Sequence, residues 1–255
     1  MSTSGEAKRR AARVIAQRLE SLQRAGVAQI PKRAKRGAEQ AAVAPVEQKA
    51  APKAPPAKID APKAVAKPTD RLAALDIIRQ EVVGCTRCPK LLGRTQTVFG
   101  VGNPQAKICF LGEAPGADED RQGEPFVGRA GQLLNKMIQA CGLAREEVYI
   151  LNVLKCRPPE NRNPLPDEAA NCRGFFERQI DIIQPEVICC LGSIAAKSLL
   201  ETETSIGRLR GKWHDFRGIP VVCTYHPAYL LRNPAAKTDA WEDLKLMMRK
   251  LGVNL

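Results

Sequence analysis

The sequence predicts an α/β fold built on a parallel sheet covered on both faces. Three observations predict it. Four short apolar runs, Lys107–Leu111, Val148–Leu154, Val187–Leu191 and Val221–Tyr225, have strand length and no polar alternation, as strands buried on both sides do. Helical patterns separate them, and strand–helix alternation implies parallel strands joined by crossovers. The residue types that carry chemistry fall just past the ends of these runs: Gly112–Gly116, Asn152, Gly192-Ser193 and His226-Pro227. Parallel sheets bind ligands at that edge.

In chain order, residues 6–25 have the spacing of a short basic amphipathic helix, with Ala11, Val14, Ile15, Leu19 and Leu22 on one side. Residues 38–68 are rich in Ala, Pro and Lys and bury too little apolar surface to offset chain entropy. Residues 1–68 therefore read as a disordered basic tail, and residues 69–255 as the folded domain. Thr69 or Asp70 caps a first helix through Leu72, Leu75, Ile78 and Val82. Further helices are expected at Gly128–Cys141, Asp167–Ile183, Ser193–Leu200 and Asp239–Leu251.

The formal net charge is +13, and the first 70 residues hold 15 Lys/Arg against 6 Asp/Glu. A tail of that kind suits a polyanion such as nucleic acid; the plain alternative is a solvated tail without a specific partner. No apolar run approaches the ~20 residues of a membrane span, and no apolar secretory segment follows Met1. Nine cysteines without a secretory signal imply a reducing compartment, where spaced cysteines serve as metal ligands more often than as disulfides.

Four of the nine are spaced in a distinctive way. Cys85 and Cys88 form C-x2-C, 67 residues intervene, and Cys156 and Cys172 form C-x15-C. Four thiolates saturate either zinc or an iron–sulfur cluster. Structural zinc usually takes two close pairs, so the wide second half favours iron and sulfur without excluding zinc. Cys109, Cys141, Cys189, Cys190 and Cys223 sit in apolar runs and read as small core residues.

The set Cys85/Cys88/Cys156/Cys172, Gly112-Glu113-Ala114-Pro115-Gly116, Pro125-Phe126-Val127-Gly128, Asn152 and His226-Pro227 closely resembles the family 4 uracil-DNA glycosylases, over about residues 75–253. The resemblance implies a three-layer α/β/α sandwich with a short, mainly parallel four-stranded central sheet. It also implies a [4Fe-4S] cluster on the four cysteines and excision of uracil from single- or double-stranded DNA, which starts base excision repair. A monomer in a bacterial or archaeal cytoplasm, associated with the nucleoid, follows as an expectation; the tail would add a contact to DNA or to a replication or repair protein.

Under that resemblance each site residue has a physical task. Gly112, Glu113 and Ala114 line the pocket, with backbone N–H groups at Glu113 and Ala114 facing uracil O2 or the attacking water. Phe126 offers a flat surface to an everted base. The Asn152 amide matches the O4 acceptor and N3–H donor of uracil and mismatches cytosine. His226 donates to uracil O2 as negative charge develops, without transferring a proton. Other uracil glycosylases place an aspartate and a tyrosine where this chain has Ala114 and Gly116, so the Glu113 carboxylate is the candidate for orienting water or stabilising the cationic sugar. Tyr229, Leu230, Leu231 and Arg232 resemble a wedge that enters DNA at the extruded base. Ser193, opening a helix after Gly192, is a candidate phosphate contact. The rival readings are a non-catalytic zinc or iron–sulfur DNA-binding module and an iron–sulfur redox sensor.

Overall fold

The structure, a computed structural model, describes residues 68–253; the helix expected at 6–25 and the segment after it lie outside the described residues. Helix α1 spans Pro68–Val83. Leu75, Ile78 and Val82 are buried on one face, but Leu72 is exposed. At 100° per residue, Arg71 continues that face instead, and its Nη1 donates to Ile183 O at 3.1 Å.

Six strands follow: β1 (Val101–Gly102), β2 (Ile108–Gly112), β3 (Tyr149–Asn152), β4 (Val187–Leu191), β5 (Trp213–Phe216) and β6 (Ile219–Thr224). Their order is β1-β3-β2-β4-β6-β5. The central four are the four read from the sequence, and their pairings are parallel. The sheet as a whole corrects the expectation of four strands: it is mixed, with antiparallel β1 and β5 at its edges. Neither edge strand carries an apolar run. β1 has two residues, one of them glycine, and β5 reads Trp-His-Asp-Phe, of which only Phe216 is buried. The β5–β6 hairpin turns at Arg217-Gly218, both with positive φ (53° and 84°), as a two-residue turn requires.

The helices are α2 (Ala117–Gln122), α3 (Arg129–Ala140), α4 (Pro166–Ile183), α5 (Ser193–Leu200), α6 (Ile206–Leu209), α7 (Pro227–Arg232) and α8 (Lys237–Lys250). Successive strand residues point to opposite faces, and two apolar clusters result. One joins Cys109, Leu111, Leu151, Cys190 and Cys223 to α1, α4 and α5. The other joins Ile108, Phe110, Ile150, Cys189 and Val222 to α3, α7 and α8. Continuous apolar strands are thus half core for each layer of helices. All five cysteines read as core residues are buried and free. No helix among the described residues is long and apolar enough to cross a membrane.

Candidate active site

A cavity of about 410 Å³ opens at the C-terminal ends of the central strands, and Glu113, Ala114, Phe126, Asn152 and His226 all line it. Segments far apart in the chain therefore meet here. Parallel strands make that possible, since all of them end on one edge.

Gly112 closes β2 where side chains crowd. A Cβ there would overlap Asn152 Oδ1 and come within 2.6 Å of the Phe126 ring. Asn152 ends β3 and is 2% exposed, yet its Oδ1 has no hydrogen-bond partner. Buried amide oxygens are nearly always paired, so this one is ready for a ligand's N–H. The pairing of β2 with β3 runs on past the strands, with Val153 N–H donating to Gly112 O and Leu154 N–H to Glu113 O, both 3.0 Å. The end of β3 after Asn152 and the first loop are thereby one rigid unit.

Phe126 has φ 55°, a left-handed conformation that strains a bulky residue. Glu119 holds it. One carboxylate oxygen accepts from Val127 N–H (2.9 Å) and Gly128 N–H (3.0 Å), and the other accepts from Gly116 N–H (3.0 Å). The Phe126 ring lies 5.6 Å from the His226 ring, tilted by 33°. Helix α3 seats tightly under this turn, because a Cβ on Gly131 would overlap the Phe126 carbonyl.

His226 is the N-cap of α7, with Pro227 at the first helical position, where a missing N–H costs nothing. Its Nδ1 accepts from Ala228 N–H at 3.1 Å. Burial, reinforced by the Arg232 charge, lowers its pKa to about 4, so the ring is neutral at pH 7. A neutral ring accepting at Nδ1 carries its proton on Nε2. Burial raises the Glu113 carboxyl above its usual 4.5. The other histidine, His214, lies in β5 with Nε2 2.7 Å from Leu209 O, apart from the cavity lining.

Tyr229 and Arg232 line the cavity, and Leu231 is 43% exposed. Leu230 departs from the expected wedge: it is 1% exposed and packs with Phe110 and Leu244 in the core. One helical turn cannot present four successive side chains to the same side, so α7 divides them. Ser193 opens α5 outside the cavity lining. Its neighbour Gly192 has φ 93°, and a Cβ there would fall 2.9 Å from His226 Cβ.

Cys85, Cys88, Cys156 and Cys172 come together between α1, the loop after β3, and α4. Burial raises Cys156 to about 12, and the charges of the other three contribute. Burial likewise raises Cys172. Burial pushes Cys85 up too, but the Arg87 hydrogen bond and charges outweigh it and its pKa falls. Donors point at the sulfurs: Arg87 Nε at Cys85 Sγ (3.3 Å) and Asn171 Nδ2 at Cys88 Sγ (3.5 Å). Among the described residues no set of three or more His, Cys, Asp or Glu is disposed to hold a single metal ion. Four thiolates are the ligand set of an iron–sulfur cluster. Four grouped thiols with N–H donors facing two of them suit that cluster.

One part of the site escaped sequence reasoning. The role of Glu119 as clamp was signalled by its place three residues after Gly116, the reach of a helix N-terminal glutamate. The loop Pro158–Asn163, between the last two cysteines, supplies Pro158, Asn161, Arg162 and Asn163 to the cavity wall. Arg162 is fixed there by a two-pronged pair with Glu168 (2.8 and 2.6 Å).

The profile of the Uracil DNA glycosylase superfamily matches residues 99–245. The type-4 uracil-DNA glycosylase of Archaeoglobus fulgidus is 45% identical over 182 residues, covering 68% of this chain and 92% of that protein. The type-4 enzyme of Thermotoga maritima is 48% identical over 161 residues, covering 62% and 84%. The type-5 uracil-DNA glycosylase of Pyrobaculum aerophilum is more distant, 27% identical over 190 residues, 62% of this chain and 84% of that one. A chain that shares this much length and identity with type-4 proteins belongs to the uracil-DNA glycosylase superfamily, among its type-4 members.

Proposed function

We propose that this protein is a DNA repair enzyme that hydrolyses the N-glycosidic bond of uracil in DNA. One observation carries the reading. An unpartnered, buried Asn152 Oδ1 and a neutral His226 share one cavity with the Phe126 ring and Glu113.

An everted uracil stacks on Phe126. Asn152 accepts from N3–H and donates to O4; cytosine, with a donor and acceptor exchanged, leaves buried groups opposed. The bond breaks dissociatively, leaving an electron-poor sugar and a uracil anion. His226 Nε2–H donates to O2 as that charge grows and keeps its proton. Glu113 contributes its charge beside the sugar and orients the water.

Cys85, Cys88, Cys156 and Cys172 hold a [4Fe-4S] cluster in this reading. When bound, the cluster supplies iron–thiolate links that clamp the Pro158–Asn163 loop against the cavity; the reaction itself moves no electrons. Uracil-containing DNA is the partner. Leu231 and Tyr229 fill the gap left by the base, and Arg232 meets phosphate. The protein works as a monomer, and the archaeal and bacterial sources of its relatives support a cytoplasmic, nucleoid-associated setting.

The deciding experiment is single-turnover release of free uracil from a uracil-containing oligonucleotide. Wild-type protein releases it and His226→Ala is slowed by about a hundred- to a thousandfold. Tight DNA binding without release would favour the non-catalytic binding module instead.

A further inference from the structure

The left-handed turn at Phe126 has a second fastening, from a residue outside the cavity lining. A bulky side chain keeps φ near 55° only where its surroundings over-determine it. Glu119 accepts from Val127 N–H and Gly128 N–H, so it holds the peptide plane that follows Phe126. The plane that precedes Phe126 carries the Pro125 carbonyl. Arg145 Nη2 donates to that oxygen at 2.5 Å, while Nη1 donates to Asn135 Oδ1 at 2.9 Å. Arg145 opens the short turn Arg145–Glu147 ahead of β3, and Asn135 lies in α3. One planar guanidinium therefore joins the approach to β3, helix α3 and the turn that carries Phe126. Both of its oxygen partners here are neutral. A rigid fork of donors spans two such oxygens, and a compact ammonium matches that geometry poorly.

We infer that Arg145 is a positioning residue for the base platform: by holding the Pro125 carbonyl it aims the Phe126 ring on which an everted base stacks. The inference rests on the glycosylase reading, in which Phe126 is that platform. Two backbone torsions aim the residue. The plane before Phe126 sets φ and the plane after it sets ψ; Arg145 holds the first and Glu119 the second. The Phe126 carbonyl has little room to swing, since a Cβ on Gly131 of α3 would overlap it. The ring centroid lies 5.6 Å from that of His226, and Phe126 shares the cavity with Asn152. A twist of the turn would therefore shift a stacked base against both residues that hydrogen-bond it. Misplacement by about 1 Å, caused by a change far from the chemistry, slows a reaction by about a hundredfold.

The test compares full-length wild-type protein with Arg145→Met, Arg145→Lys and Asn135→Ala on two uncleavable duplexes. One carries 2′-fluoro-2′-deoxyuridine, whose fluorine destabilises the cationic sugar and so preserves the bond. The other carries tetrahydrofuran, an abasic analogue with no base to stack. A loosened fold weakens binding to both; a misaimed platform weakens only the first. Arg145→Met is expected to bind the fluorouridine duplex about fivefold more weakly, to bind the tetrahydrofuran duplex as wild type does, and to release uracil at least about tenfold more slowly in single turnover. Arg145→Lys, which keeps a donor, and Asn135→Ala, which frees one side of the fork, fall between. In a Phe126→Ala background the effect of Arg145→Met shrinks to within about twofold, because the two residues act through one ring. Equal weakening on both duplexes overturns the inference, as does an undiminished effect in the Phe126→Ala background or a wild-type rate in Arg145→Met. Should Arg145→Met not fold, the same comparisons on Arg145→Lys and Asn135→Ala decide. Wild-type protein that releases no uracil would instead sink the glycosylase reading, so the two failures are distinct.

Discussion

A leaving group that departs as an anion calls for a hydrogen-bond donor that holds its proton. His226 meets that need because Ala228 N–H occupies Nδ1 and burial keeps the ring neutral with a pKa near 4. Its unfolded value is about 6.5, so the folded state binds fewer protons between those values. The stability contributed by neutral His226 is complete above pH 6.5 and is lost as pH falls from there toward 4. In the proposed reaction Glu113 acts as an anion, and because its carboxyl is raised above 4.5 it is met first on the acid side. Single-turnover rates are expected to be flat near neutrality and to fall with a midpoint above 4.5. Glu113→Gln slows the reaction and removes that limb; a limb that persists in this variant would take the charge role away from Glu113. Gly112→Ala adds a methyl group against Asn152 Oδ1 and the Phe126 ring. Overpacking of this kind costs about 1–3 kcal/mol, and here it also narrows the base site. Urea unfolding and uracil release are both expected to show the loss.

At the scale of the element, two carboxylates fasten the loops that form the site. Glu119 ties the Gly116 loop to the strained Phe126 turn through three N–H bonds. Glu119→Gln turns an NH2 group toward at least one of these donors. A loss of about 1–3 kcal/mol in stability and slower uracil release follow, while Glu119→Asp falls too short to bridge both loops. Asp243 does the same for α8. It is fully buried and accepts from Arg210 Nε (3.1 Å), Gly211 N–H (2.9 Å) and Oγ1 of Thr224 (2.8 Å), which ends β6 two residues before His226. Asp243→Ala removes a buried acceptor from Thr224, Gly211 and Arg210, which keeps Asp239, and is expected to cost about 1–3 kcal/mol by denaturant unfolding. The division of α7 makes its own prediction. Leu231→Ala, on the exposed side, slows excision from duplex DNA more than from single strands, where no stack needs filling. Leu230→Ala leaves a hole in the core and costs about 2–5 kcal/mol of stability.

At the scale of the whole molecule, charge and catalysis are separated along the chain. The first 70 residues carry 15 Lys/Arg against 6 Asp/Glu, and the cavity lies in the region beyond them. Each phosphate neutralised steepens the dependence of DNA affinity on salt. Deleting residues 1–67 is therefore expected to flatten the plot of log affinity against log salt while single-turnover excision at saturating protein stays close to wild type. An unchanged slope would remove the tail as a DNA tether. The two-sided core explains why the catalytic edge tolerates such a design. Both helical layers fasten the same four parallel strands, so the strand ends are held from either side.

The sequence by itself determined what is local and periodic. The central strands β2, β3, β4 and β6 were legible because each is a short apolar run, and helices α1, α3, α4, α5 and α8 because apolar positions recur near 3.6 residues; the short α2, α6 and α7 were not. The residues at the strand ends could be named for the same reason: parallel strands deliver their C-terminal loops to one edge. The cysteine set was legible from spacing. Tertiary structure decided what depends on partners distant in the chain. β1 and β5 exist only as additions to a sheet already formed, since neither buries a face on its own. Leu230 and Leu231 are the same residue type one position apart, and only the packing of α7 sends one into the core and the other toward solvent. The clamp of Glu119 follows from hydrogen bonds across loops, and a side chain's partners are fixed by the fold that brings them within reach.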